Sequence, residues 1–185
     1  ANYKAMEFVG EGMKNLTMSD RISICNLCVE AGAKTALMEV DDIALDYLKE
    51  HGRSPKACFT SDEDAHFEKT YDINLSGIIP IVAKPHFVDN IAPAKECAGI
   101  KINEAFLGSC NNGRIEDLRL AASILNGHKV ADTVRFLVVP ASNAVYIQAL
   151  EEGLIDIFMK AGAIVMNANC SVCWGSCQGV IGEGE

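Results

Sequence analysis

Two stretches of this chain carry residue types and spacings that can do chemistry: Gly108-Ser109-Cys110-Asn111-Asn112-Gly113-Arg114, and Cys170-Ser171-Val172-Cys173 with Cys177 just beyond. Two thiolates three residues apart on a turn face one point, and so grip a single soft metal centre. Each stretch follows a short apolar run that reads as a buried strand, Glu104 to Gly108 in one case and Ala163 to Met166 in the other. Glycines allow a tight backbone path, and Asn111 or Asn112 is placed to cap a helix beginning near Ile115. Arg114 adds a permanent charge beside a helix start whose free N–H groups already favour anions. If the two strand ends meet, Cys110, Cys170 and Cys173 hold one centre, which we read as an iron–sulfur cluster. A closed zinc site that also uses Cys177 is the alternative, giving a zinc-stabilised α/β binding module. A thioredoxin-like redox pair is disfavoured, because glycine-rich coil rather than a helix is expected after Cys173.

Cys25-Asn26-Leu27-Cys28 repeats the spacing inside a helical pattern, where two small buried hydrophobes are the better reading. On that helix Asn26 and Glu30 stand four residues apart and share a face. They read either as a solvated surface or, aimed into a cleft, as groups that orient a substrate and handle its proton. His51, His66, His86 and His128 show no paired ligand spacing, and Asp62-Glu63-Asp64 reads as a solvated acidic face.

The chain has 185 residues, a formal charge of −9, 49% apolar residues and eight cysteines. That length buries a real core, and the composition is that of an ordinary globular protein. Its acidity argues against nucleic-acid or anionic-membrane partners, which need a basic face. No apolar run approaches a membrane span. The cysteine pattern suits reduced thiols in the cytoplasm better than a disulfide framework.

These stretches need positioning elements. Asn2 to Gly12 is weakly helical, a helix capped around Met18-Ser19-Asp20 is expected to run to Gly32-Ala33, and Thr35 to Val40 reads as a strand. A helix from Asp41 to Glu50 stops at Gly52, Ser54 to Asp72 is polar, and Ile78 to Ala83 is strand-like with Pro80 at an edge. Lys84 to Pro93, with two prolines inside and at its end, reads as a linker between lobes spanning residues 1–92 and 93–185. After it, strands at 104–108, 135–139 and 163–166 alternate with helices at 115–126, 142–152 and 154–161. That alternation means βαβ units and a parallel sheet, whose ligands collect at the carboxyl ends of strands.

Three motifs in order resemble the aconitase superfamily: Ile24-Cys-Asn-Leu-Cys-Val-Glu-Ala-Gly-Ala33, Gly108-Ser-Cys-Asn-Asn-Gly-Arg-Ile-Glu-Asp-Leu-Arg119, and Cys170-x-x-Cys173-x-Gly175. The middle motif is most similar to the branch of 3-isopropylmalate dehydratase large subunits, homoaconitase and dimethylmalate dehydratase. The resemblance implies an aconitase-like α/β iron–sulfur domain fragment in two lobes. It implies a [4Fe–4S] cluster held by Cys110, Cys170 and Cys173, with one iron free to act as Lewis acid in the hydro-lyase reaction on a hydroxy acid, in leucine biosynthesis for the first of these enzymes. By the same resemblance Asn26 and Glu30 match catalytic positions, and Asn112, with Arg114 beside it, substrate-binding ones. The partners implied are a small swivel-domain subunit and the rest of the large subunit, without which the chain is expected to be inactive and its cluster easily lost. Asn111 stands where the family usually has Thr, Ser171 where many members have Gly, and Cys177 is extra.

Overall fold

A computed structural model of the chain describes residues 2–176 and 178–185, with the backbone alone of Ser171 and Val172. It divides into two compact units, Ala1–Gly99 and Ile100–Glu185, each an α/β assembly. The division falls later than the expected border at residue 92, because the strand that ends at Pro93 pairs backwards in the chain.

In the first unit, β1 (Ala5–Phe8) runs parallel to β2 (Thr35–Met38). Residues 2–12 are therefore not helical over β1; a 3-10 turn follows at Glu11–Asn15. Helix α1 (Met18–Leu27) starts one residue before the expected cap, at Thr17, whose side chain accepts from the Asp20 N–H while Asp20 accepts from the Thr17 N–H. Such a reciprocal cap stabilises a helix start by about 1 kcal/mol. The helix ends at Leu27 rather than Ala33, but the chain keeps turning: the Ala33 N–H donates to the Cys28 carbonyl at 3.0 Å, and both residues stay buried. Apolar spacing thus outlasts the helix. Helix α2 (Asp42–Glu50) is capped by Asp41, and the next twenty residues beyond Gly52 are exposed and irregular, as their polarity suggests. The expected linker is instead a hairpin, with β3 (Ile81–Ala83) antiparallel to β4 (Ile91–Pro93). Pro80 stands just before β3, and its carbonyl accepts from Ala94.

Arg21 ties this unit together. It is 3% exposed and forks onto both Asp41 oxygens at 2.7 Å, while Nη2 and Nε reach the carbonyls of Met13 and Leu16. A planar guanidinium fits that bidentate geometry, and the carbonyls satisfy its remaining donors.

The second unit is a three-stranded parallel sheet in the order β5 (Glu104–Gly108), β6 (Arg135–Val139), β7 (Ile164–Val165). Helices α3 (Ile115–Leu125), α4 (Asn143–Glu151) and α5 (Leu154–Ala161) supply its core, in which Leu118, Ala149 and Phe158 are fully buried around Val138. Ile115, Leu118 and Ala122 form the apolar stripe expected of α3, with Leu125 packed beside it. Leu137, Val139 and Met166 form a separate small cluster, as strand alternation requires of the opposite side chains. No described helix is long and apolar enough to cross a membrane.

The Arg21 pair has a pH signature. The guanidinium holds the Asp41 carboxyl down to about 2 from its ordinary value of 3.8. A depressed folded-state value means stability that is present above the ordinary value and lost as pH falls through about 2. Asp41→Asn keeps the helix cap and removes the charge, so α1 and α2 should lose about 1.5–3 kcal/mol of protection at neutral pH. They should also lose their added sensitivity between about pH 4 and pH 2. Amide hydrogen exchange of the two helices reads both effects, and unchanged protection would contradict the assignment.

Candidate metal centre

The turn after β5 lies hard against the end of β6. The Ser109 N–H donates to the Val139 carbonyl at 2.9 Å, the Gly113 N–H to the Ser109 carbonyl at 3.1 Å, and the Ala141 N–H to the Gly113 carbonyl at 2.7 Å. A Cβ on Gly108 would stand 2.1 Å from the Val139 oxygen, and one on Gly113 would stand 2.5 Å from the same atom. Only glycine fits either place. Ser109 and Asn112 take left-handed backbone, with φ of 62° and 86°, at a cost on the order of 1 kcal/mol each. The turn is accordingly a narrow, strained path that leaves the Cys110 side chain exposed and Ser109 buried.

Neither asparagine caps α3. Arg114 is the capping residue, its N–H donating to Asp117 Oδ2 at 3.1 Å, and its Nη2 reaches back to the Cys110 carbonyl at 3.2 Å. Asn112 supplies the left-handed step instead. Two buried atoms here lack partners among the described residues, Asn111 Oδ1 and Arg114 Nε. An unpaired buried polar group costs about 1–3 kcal/mol. That cost marks a turn built for something besides its own stability.

At the other side of the sheet, the Met166 N–H donates to the Val138 carbonyl at 2.9 Å and continues β7 past its last ladder pair. The chain then reaches Cys170 and a single helical turn, α6 (Ser171–Trp174), in the stretch read as a turn, and the described residues that follow it are not helical. Cys170 and Cys173 are exposed. An open cleft of about 440 Å³ adjoins the end of β7, lined by Ile164, Val165, Met166, Asn167, Asn169 and Gln178 and by neither cysteine. Cys177 lies outside the described residues.

Cys110 and the Cys170/Cys173 turn therefore leave the same carboxyl edge of one parallel sheet, from strands separated only by β6. Neighbouring strands stand about 4.8 Å apart, which puts the β5 and β7 ends about 10 Å from each other. Among the described residues no three Cys, His, Asp or Glu side chains are gathered closely enough to hold a metal ion. The structure brings the ends of the two strands that precede the thiols to one edge of the sheet. All three thiols are free, and thiolates are the donors that iron–sulfur clusters and zinc both take. The residues fit such a group in donor type, three free and exposed thiols, while the space beside Gly108 and Gly113 is taken by the Val139 carbonyl.

Asn26 and Glu30 belong to the first unit. Both are exposed, Asn26 on the last turn of α1 and Glu30 beyond its end, where the Glu30 N–H donates to the Leu27 carbonyl at 3.0 Å. Cys28 is buried and Cys25 partly so, and burial pushes both thiols above their ordinary pKa. That keeps them protonated and agrees with a packing role. The four histidines are exposed.

The whole chain, over residues 1–98 and 88–185, matches the model of the aconitase family (aconitate hydratase). This chain belongs to the aconitase family. Its similar relatives include 3-isopropylmalate dehydratase large subunits of Lachnoclostridium phytofermentans (49% identical) and Caldicellulosiruptor saccharolyticus (46%). A third is large subunit 2 of the same enzyme from Archaeoglobus fulgidus, 45% identical. All of this aconitase-family chain aligns in each case, but it spans only 44%, 43% and 45% of those proteins.

The sequence pattern found the cysteines and missed the buried atoms of Asn111 and Arg114, for which it carries no signal. It also missed Asn167, Asn169 and Gln178, which face the cleft from otherwise unremarked coil.

Gly113→Ala tests the turn. With a backbone conformation open to any residue and a Cβ only 2.5 Å from a carbonyl oxygen, it should destabilise the second unit by on the order of 3 kcal/mol. Gly127→Ala, left-handed at φ 79° but in open space, should cost about 1 kcal/mol. Urea unfolding followed by circular dichroism compares them, and equal losses would contradict the close approach.

Proposed function

We propose that this chain is part of the large subunit of a hydro-lyase of the 3-isopropylmalate dehydratase type, which removes and adds water at a hydroxy di- or tricarboxylic acid. The supporting observation is its end-to-end alignment with three such large subunits at 45–49% identity. Cys110, Cys170 and Cys173 would hold a [4Fe–4S] cluster. When bound, that cluster supplies a Lewis-acidic iron without a protein ligand, drawing electron density from the departing hydroxide.

The chain's own residues would supply part of what remains. Arg114 offers a fixed positive charge to a substrate carboxylate, and Asn112, exposed beside it, offers a carboxamide to the substrate's oxygens. Asn26 would orient the substrate, and the Glu30 carboxylic acid would donate the proton with which the hydroxyl leaves as water and regain it from water on hydration, the base for the carbon-bound proton being assigned to the partner subunit. The relatives are named large subunits, which supports a small subunit as partner, together with the rest of the large subunit. Free thiols throughout the described residues suit a reducing cytoplasm. We infer that the 185 residues alone hold only part of the active site and are inactive.

Anaerobic reconstitution with ferrous iron and sulfide tests the reading. Iron and acid-labile sulfide should bind together, be lost in Cys110→Ser and be spared in Cys177→Ser. One zinc and no sulfide would favour a structural zinc site instead. Hydration of a 2-alkylmaleate by the isolated chain would contradict the partial-site proposal.

A further inference from the structure

The Cys110 turn holds two polar groups that its fold does not use. Asn111 Oδ1 and Arg114 Nε are buried and unpartnered among the described residues, one and four residues after a thiol that is itself exposed. Arg114 already touches the ligand's own residue, through Nη2 and the Cys110 carbonyl. Asn111 is the next residue in the chain and makes no such contact. A carboxamide offers an acceptor at one end and two donors at the other, and a half-turn exchanges them. A bound thiolate carries negative charge and draws N–H groups, whereas a free thiol is a weak acceptor.

We infer that Asn111 is a positioning residue of the metal centre, whose carboxamide turns to donate to the Cys110 sulfur when metal is bound. The inference rests on the reading of Cys110 as a ligand. The carboxamide oxygen is buried without a donor among the described residues; turned over, its N–H end would meet a charged acceptor in a metal-bound thiolate. Groups that stand behind metal ligands typically change metal affinity by 10–100-fold when removed. The same arrangement makes an unusual demand on stability. Removing an unpaired buried polar group in favour of an apolar one of similar size is neutral or stabilising for the metal-free fold. Asn111 should therefore help binding while giving nothing to folding.

Cobalt(II) titration of the reduced chain, followed by thiolate-to-metal absorption, tests this with thermal unfolding of the metal-free proteins alongside. Asn111→Leu should raise the cobalt dissociation constant about 10–100-fold with a metal-free Tm equal to or above that of the parent. Asn111→Thr, which keeps a donor, should bind within about 3-fold of the parent, on the order of half a kcal/mol. Leu and parent binding alike, while Cys110→Ser abolishes binding, overturns the inference and leaves the ligand assignment standing. Weaker binding by Leu with a matching fall in metal-free Tm marks Asn111 as merely structural and also overturns it. Cobalt bound by Cys110→Ser as tightly as by the parent overturns the ligand reading and the inference together.

Discussion

The candidate site depends on one close approach, that of the Gly108–Gly113 turn to the last carbonyl of β6. The Val139 oxygen accepts from Ser109, and it occupies the space that a Cβ on either glycine would need. A wider turn would carry Cys110 away from the carboxyl edge of the sheet. The left-handed backbone of Ser109 and Asn112 follows from the same constraint, since the chain must reverse within a few residues and still begin α3 at Ile115. Strain at such places persists when surrounding structure over-determines it, and here the fully buried stripe of α3 does so.

The cysteines sort themselves by this geometry. Cys25 and Cys28 share the CxxC spacing of Cys170 and Cys173, yet one pair is drawn into packing and the other is exposed at a sheet edge. Spacing alone does not distinguish them. The difference is what precedes each pair: a capped helix carries Cys25 into the first unit, whereas a two-residue strand delivers Cys170 to the place where parallel sheets collect their ligands.

The second unit was largely legible in the sequence because its strands and helices are bounded by local signals. Gly113 before α3, Ser142 before α4, and Gly153 and Gly162 around α5 punctuate apolar runs of the right period. The first unit was less legible because its elements take identity from distant partners. Ala5–Phe8 is four residues long and is a strand only because Thr35–Met38 pairs with it. Ile91–Pro93 looked like linker for the same reason: Ile78 to Ala83 read as a strand, but the local pattern did not pair it with a segment ending in Pro93. At the site, residue types disclosed the thiols and the glycines. The buried state of Asn111 Oδ1 and Arg114 Nε is a product of packing, and no spacing reports it.

The central claim is that sulfurs from two turns, sixty residues apart in sequence, serve one centre. Arsenite, which bonds to three thiols at once, tests it directly on the reduced, metal-free chain. Mass spectrometry after digestion should find one arsenic joining the Cys110 peptide to the Cys170–Cys173 peptide, with Cys110 protected from alkylation. Arsenic confined to the Cys170–Cys177 peptide, with Cys110 still freely alkylated, would contradict it.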